Sequence, residues 1–148
     1  DERKLPGRIS FASLNPYING RQHLRLLIEK FTSPTSWAFV GVISEGLRMD
    51  KSSDRTYLNR SSFGWHIGRQ SIIYDRRTSI GSDFDGRQIR QGDILTIFID
   101  CDQKLLEIKN ERTLSKHTIY INSDCCPLPW LFAVNFNYQN NDSMYLLH

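Results

Sequence analysis

"GDILTIFIDCDQKLLEIKN", residues 92–110, sets two apolar stretches on either side of one acidic bend. In the first, Leu95, Ile97 and Ile99 alternate with Ile94, Thr96 and Phe98; in the second, Leu106 and Ile108 alternate with Glu107 and Lys109. Successive side chains of an extended chain point to opposite faces, so this period of two marks a pair of strands. Both faces of the first are apolar, which predicts a central strand lying deep between packed sheets, whereas the second has one wet face. Gly92-Asp93 reads as a turn that launches the first strand, and Asp100 and Asp102 read as turn formers that bring the chain back as its neighbour. The acid is expected to be structural.

The same punctuation extends in both directions. Turn-forming clusters recur as "NPYING" (15–20), "TSPTS" (32–36), "KSSDR" (51–55), "GSDFDG" (81–86), "NSDCCP" (122–127) and "NYQNND" (137–142), separated by short segments rich in Val, Ile, Phe, Trp and Tyr. That spacing is expected of an all-β domain. "SWAFVGVIS" puts Ala38, Val40 and Val42 on one face and Trp37, Phe39, Gly41 and Ile43 on the other, again apolar on both. "QHLRLLIEKF" is ambiguous: Leu24, Leu27, Ile28 and Phe31 form a helical stripe, while Leu24, Leu26 and Ile28 alternate as in a strand. Its local pattern leans to helix.

Composition bounds the function. The 148 residues fit one domain, and 39% hydrophobic with 24% charged residues is ordinary for a folded chain. Apolar runs such as "WAFVGVI" are too short to span a bilayer, and "DERKLPGR" has no apolar signal core. The chain starts with Asp, which suggests a piece of a longer protein. A net charge of +3 is too small to favour nucleic acid without a clustered patch. The three cysteines, Cys101, Cys125 and Cys126, are an odd set with two sequence neighbours, which favours reduced thiols in the cytoplasm or nucleus over a secreted disulfide framework. The sequons at Asn59 and Asn141 would matter only in a secreted chain.

The chemistry-bearing residues do not assemble into a reaction. A calcium loop starting at Asp100 would need an oxygen ligand and a glycine where the chain has Lys104 and Leu105. Cys125-Cys126 lacks zinc-ligand spacing, and His23, His66, His117 and His148 are scattered, so no metal and no cofactor is expected. No nucleophile elbow, P-loop or dinucleotide fingerprint occurs, and the chain is not expected to be an enzyme. Tyr and Arg dominate protein interfaces because each joins a large contact area to a polar handle. Tyr57, Arg60, Tyr74, Arg76, Arg77, Asn137, Tyr138 and Asn140, all next to polar turn clusters, are the candidate partner-binding residues.

Several stretches in order resemble a SPRY-type domain. "GRQHLRLLIEKFTSPTSWAFVGVIS" resembles its opening strands, "SFGWHIGRQSIIYD" its aromatic strand and glycine turn, residues 89–113 its Gly-Asp turn and hairpin, and "CCPLPWLFAVNFNYQNNDSMYLL" its closing pair. The chain departs from the family pattern at Asn110-Glu111, where Asn-Gly is usual, and at Leu106-Glu107-Ile108, where an aromatic is usual. The resemblance covers roughly residues 20–147 and marks a divergent member. It implies a β-sandwich of two antiparallel sheets, which makes "QHLRLLIEKF" a strand. It also implies a non-catalytic module that recognises a peptide or protein through loops at one end, such as the substrate-recognition part of a ubiquitin ligase or adaptor. The rim would come from residues 44–62, 74–88 and 135–143, with Arg69, Arg76, Arg77, Arg87 and Arg90 favouring acidic partners. Two other readings compete: a carbohydrate-binding sandwich, from the Asn-rich "NFNYQNND" loop and the sequons, and arginine-mediated binding of nucleic acid.

Overall fold

Where the two periods compete, the extended one prevails. Arg21–Lys30 is a strand, β3, with Leu26 and Ile28 buried and Leu24 packed against the same core, while Leu27 lies half-buried on the opposite face. Helix propensity is a weak prior, and pairing on both edges overrides it here.

The computed structural model describes residues 2–5, 9–11, 16–31, 36–45, 62–68, 71–74, 77–80, 86–136 and 142–147. Before β3 come β1 (Glu2–Leu5) and β2 (Ile9–Phe11). After it come β4 (Ala38–Ser44), β5 (Ser62–Ile67), β6 (Ser71–Tyr74) and β7 (Arg77–Ile80). A 3-10 turn at Gly86–Gln88 leads to β8 (Ile94–Asp100), β9 (Leu105–Asn110), β10 (Lys116–Tyr120), β11 (Trp130–Phe136) and β12 (Ser143–Leu147). These strands form two six-stranded antiparallel sheets, sheet A in the order β1-β12-β3-β8-β9-β10 and sheet B in the order β2-β11-β4-β5-β6-β7. The fold is the predicted all-β sandwich. Among the described residues no helix is long and apolar enough to cross a membrane.

The sheets share one core, in which Leu26, Ile97 and Ile108 of sheet A meet Val40, Trp65 and Phe132 of sheet B. Each such side chain contributes roughly 1.5–3 kcal/mol by leaving water. In sheet B every residue of β4, β5 and β11 is buried, so these strands are covered on both faces, as the sequence predicts for β4. Gly41 and Gly64 are direct cross-strand partners there. A Cβ on Gly41 would stand 2.2 Å from the Phe63 carbonyl oxygen and 2.8 Å from Cζ of Phe39, so the buried Phe39 ring lies over ground that only glycine leaves free. Sheet A behaves differently: β8 and β9 alternate buried with half-buried residues. The expectation that β8 lies deep holds for Leu95, Ile97 and Ile99 but not for Ile94, Thr96 and Phe98, because the outer face of this sheet is partly open to solvent.

The acidic bend is structural. Oδ1 of Asp100 accepts the Asp102 and Gln103 amides at 3.0 and 2.8 Å, and its Oδ2 accepts Nε of Arg21 at 3.1 Å. Oδ1 of Asp102 accepts the Gly20 amide at 3.1 Å, tying the start of β3 to the β8–β9 turn. Gly92 has φ +91° with open space around it, so conformation and not crowding requires glycine there. All three cysteines are free; Cys101 and Cys126 are buried, and burial pushes the Cys126 thiol up to about 12, which leaves it protonated and inert.

Candidate interaction surface

Antiparallel pairing gives the sandwich two poles. The first holds the last residues of β3, β5, β7, β9 and β11 and the first residues of β4, β8, β10 and β12. The Ser36 hydroxyl donates to Oδ1 of Asp142 at 3.0 Å and links the two sheets there. At the second pole, Nζ of Lys104 in the β8–β9 turn sits 5.8 Å from the centroid of the Trp130 ring, where β11 begins.

This topology divides the rim expected from the sequence. Ser44 and Ser62, which bracket the 45–61 segment, lie at the second pole, whereas Phe136 and Ser143, which bracket 137–141, lie at the first. Tyr57, Arg60, Arg76, Asn137, Tyr138 and Asn140 fall outside the described residues. Tyr74 and Arg77 are cross-strand partners at the second-pole end of β6 and β7. Of the arginines expected to favour acidic partners, Arg69 and Arg76 fall outside the described residues, Arg77 is at the second pole, and Arg87 and Arg90 belong to the segment that leads into β8 at the first.

The first pole is braced by ionic and amide bonds. Asp93 is 5% exposed and receives Nε and Nη2 of Arg112 at 2.7 and 3.0 Å, Nδ2 of Asn110 at 2.9 Å and the Arg90 amide at 2.9 Å. Burial pushes its carboxyl up, but these four bonds and the Arg112 charge outweigh burial and hold it below the usual carboxylate range. The same guanidinium donates to the Gln88 carbonyl at 2.8 Å, so the β9–β10 turn and the segment before β8 are one unit. Beside it, Glu111 takes a two-pronged contact from Arg25 at 2.8 and 2.9 Å and the Thr96 hydroxyl at 2.9 Å; the Arg25 bond chiefly lowers its carboxyl. Glu29 accepts the Ser143 hydroxyl, which chiefly lowers its carboxyl, and lies 3.5 Å from Lys4. Asp142 is held by Ser36 and Ser143 by Glu29, so the chain just after the 137–141 segment is fixed.

What this bracing leaves over is cationic and apolar. Among the described residues Lys30 and Arg90 are exposed and form no ion pair, although Asp93, Glu111, Glu29 and Asp142 all have partners within the chain. Lys30 is next to Phe31, whose amide donates to Oε1 of Gln91, and this bond sets Lys30 beside the segment bearing Arg90. Leu114, in the β9–β10 turn, is 67% exposed at φ +63°. The half-buried Trp37 stacks obliquely on His66, centroids 5.1 Å apart, at the same pole. The second pole instead exposes Tyr120 and Ile18, at 75% and 63%, and also carries the exposed Asp102, Asp124 and Glu45. The sequence singled out Arg90 but missed Lys30 and Leu114, because their placement depends on pairings between distant segments.

No family model matches the chain, and no curated protein matches it in sequence. Solved structures do match in shape. The SPRY domain of human HERC1 superposes with a TM-score of 0.64 at 13% identity, over 95% of this chain and 81% of that one. The TRIM65 PSpry domain gives 0.64 at 11% identity, over 91% and 68%. Stonustoxin gives 0.61 at 14% identity over 90% of this chain, which corresponds to 20% of the toxin chain. The sandwich is thus of the SPRY type, a divergent example, as the resemblance of its motifs implied.

Proposed function

We propose that this chain is a non-catalytic protein-interaction module that holds a peptide or protein partner at the first pole of the sandwich. The observation that carries the reading is the bracing of that pole. The Asp93, Glu29 and Ser36 bonds hold the described residues of this pole in place, so the part of the surface they form is ordered before a partner arrives, which lowers the ordering cost of binding there. Its exposed leucine and cations, with a half-buried tryptophan at the same pole, are of the types that contribute contact area and polar anchoring. The SPRY-type fold supports the same reading. In a longer protein the module would serve as the substrate-recognition part of a ubiquitin ligase or adaptor, in the cytoplasm or nucleus.

The test is affinity capture with the immobilised domain, followed by quantitative binding of the recovered protein. Tyr138→Ala, in the segment joining Phe136 to Ser143, is expected to weaken that binding by about tenfold or more, as truncation of an interface tyrosine does. Tyr57→Ala and Arg76→Ala, in segments anchored at the second pole, are expected to leave it unchanged. A partner insensitive to every change at the first pole rejects the assignment, and a glycan array is expected to stay silent.

A further inference from the structure

Leu114 is held at two disadvantages at once. A bulky side chain at φ +63° is in the left-handed region, where Cβ crowds the following carbonyl and where glycine or asparagine normally sits. It is also 67% exposed, so its apolar surface gains nothing from the core. The conformation is imposed by the turn: the Leu114 amide donates to the Asn110 carbonyl at 2.8 Å, and Arg112 pins the turn to Asp93 and Gln88. Among the described residues no apolar burial repays that placement, and strain maintained by rigid surroundings points outward, to function.

The surroundings define what Leu114 would meet. The Arg90 amide and Nη2 of Arg112 bind the same oxygen of Asp93, at 2.9 and 3.0 Å, so the cation-bearing segment is adjacent to the leucine-bearing turn. Gly92 donates to the Ile28 carbonyl at 2.7 Å, which brings the end of β3, and Lys30, alongside. Lys30 and Arg90 have no ion pair among the described residues.

We infer that Leu114, Arg90 and Lys30 form a docking surface for an acidic protein segment that carries an apolar side chain, its apolar group against Leu114 and its carboxylates on Arg90 and Lys30. This rests on the interaction-module reading and specifies the partner's chemistry. An acidic peptide fits better than a nucleic acid. A phosphate backbone calls for a continuous cationic track, whereas here two exposed cations with no ion pair among the described residues share one pole with an exposed leucine, on a chain of net charge +3.

The experiment selects a random displayed peptide library on the wild-type domain and measures the recovered peptides against three variants: Leu114→Gly, the double charge reversal Lys30→Glu with Arg90→Glu, and Tyr138→Ala. Recovered peptides are expected to be rich in Asp and Glu with one or two large apolar residues. Leu114→Gly is expected to weaken them by about tenfold or more while raising the thermal midpoint, since glycine suits the left-handed turn. That opposition of affinity and stability separates docking from a structural role. The charge reversal is expected to weaken binding at low salt, with the difference shrinking at high salt. Peptides without acidic bias, or acidic peptides indifferent to Leu114→Gly and to the charge reversal, overturn the inference. If such peptides respond to Tyr138→Ala, the broader reading survives. A library that yields no binder overturns both, and tighter binding of a single-stranded oligonucleotide than of the peptides overturns the assignment of partner class.

Discussion

Sheet B and sheet A solve the same packing problem by different means. The three central strands of sheet B are buried on both faces, down to a pair of opposed glycines beneath the Phe39 ring. Sheet A buries one face and laces the other with Arg25–Glu111, Lys4–Glu29 and the long Lys116–Glu107 contact. One sheet is therefore specified by shape, where a single methyl group is decisive, and the other by alternation with a solvated, adaptable exterior. Stability should be concentrated in the first and tolerance to change in the second.

The sharpest way to break this contrast is at the glycine pair. Gly41→Ala or Gly64→Ala places a methyl within 2.2 or 2.3 Å of a carbonyl oxygen on the partner strand, so the strands must separate. The loss is expected to be about 3 kcal/mol or more, or no folded product at all, measured by urea denaturation. A variant of near wild-type stability would remove the basis for the comparison. Next in size is a test within one strand of sheet A. Ile97→Ala, at a fully buried position, is expected to cost about 2–5 kcal/mol, and Phe98→Ala, on the half-open face, about 1 kcal/mol; equal losses would mean that the outer face is packed as tightly as the inner.

A smaller effect concerns pH. The folded-state carboxyls of Asp93, Glu29 and Glu111 lie below their ordinary values, so the unfolded chain binds these protons more tightly. Their contribution is present at neutral pH and is lost as pH falls through and below the ordinary carboxylate range, about pH 4. Asp93→Asn should lower stability at pH 7 and flatten part of the acid limb of the stability curve; an unchanged limb would show that the Arg112 bonds do not influence folding. The smallest effect is expected from Arg25→Ala on the solvated face of sheet A. It should barely shift the unfolding midpoint, and less still at high salt, because exposed ion pairs are screened.

Much of the fold was legible because it depends on a period of two. The alternation of Leu106 and Ile108 against Glu107 and Lys109, and the doubly apolar "AFVGVIS", appear directly in the burial of β9 and β4. β3 carried two periods, and its helical stripe gave way only because β8 and β12 pair with it from distant positions in the chain. The same apolar pattern misled for β8, since a sequence shows that Ile94 and Phe98 are apolar but not whether anything covers them. β1 and β2, at four and three residues, are too short to display a period. The candidate surface was harder to read. Arginines and tyrosines beside turn clusters are visible as residue types, but the pole each one belongs to follows from strand direction, and that separates 44–62 from 135–143. Leu114 gave no signal, because nothing in "ERTLSK" distinguishes a leucine in a left-handed turn from one in a core.

The pairing of β1 with β12 has a geometric corollary. Glu2 faces Leu147 across that pair, and Leu147 in turn faces Arg25, midway along β3, so the first and last strands end side by side on one edge of sheet A. Polypeptide fused ahead of β1 and beyond β12 would therefore be tethered at neighbouring points along that edge. A donor and an acceptor dye attached at the two ends would accordingly report separation of this edge pair before the centre of the sheet opens.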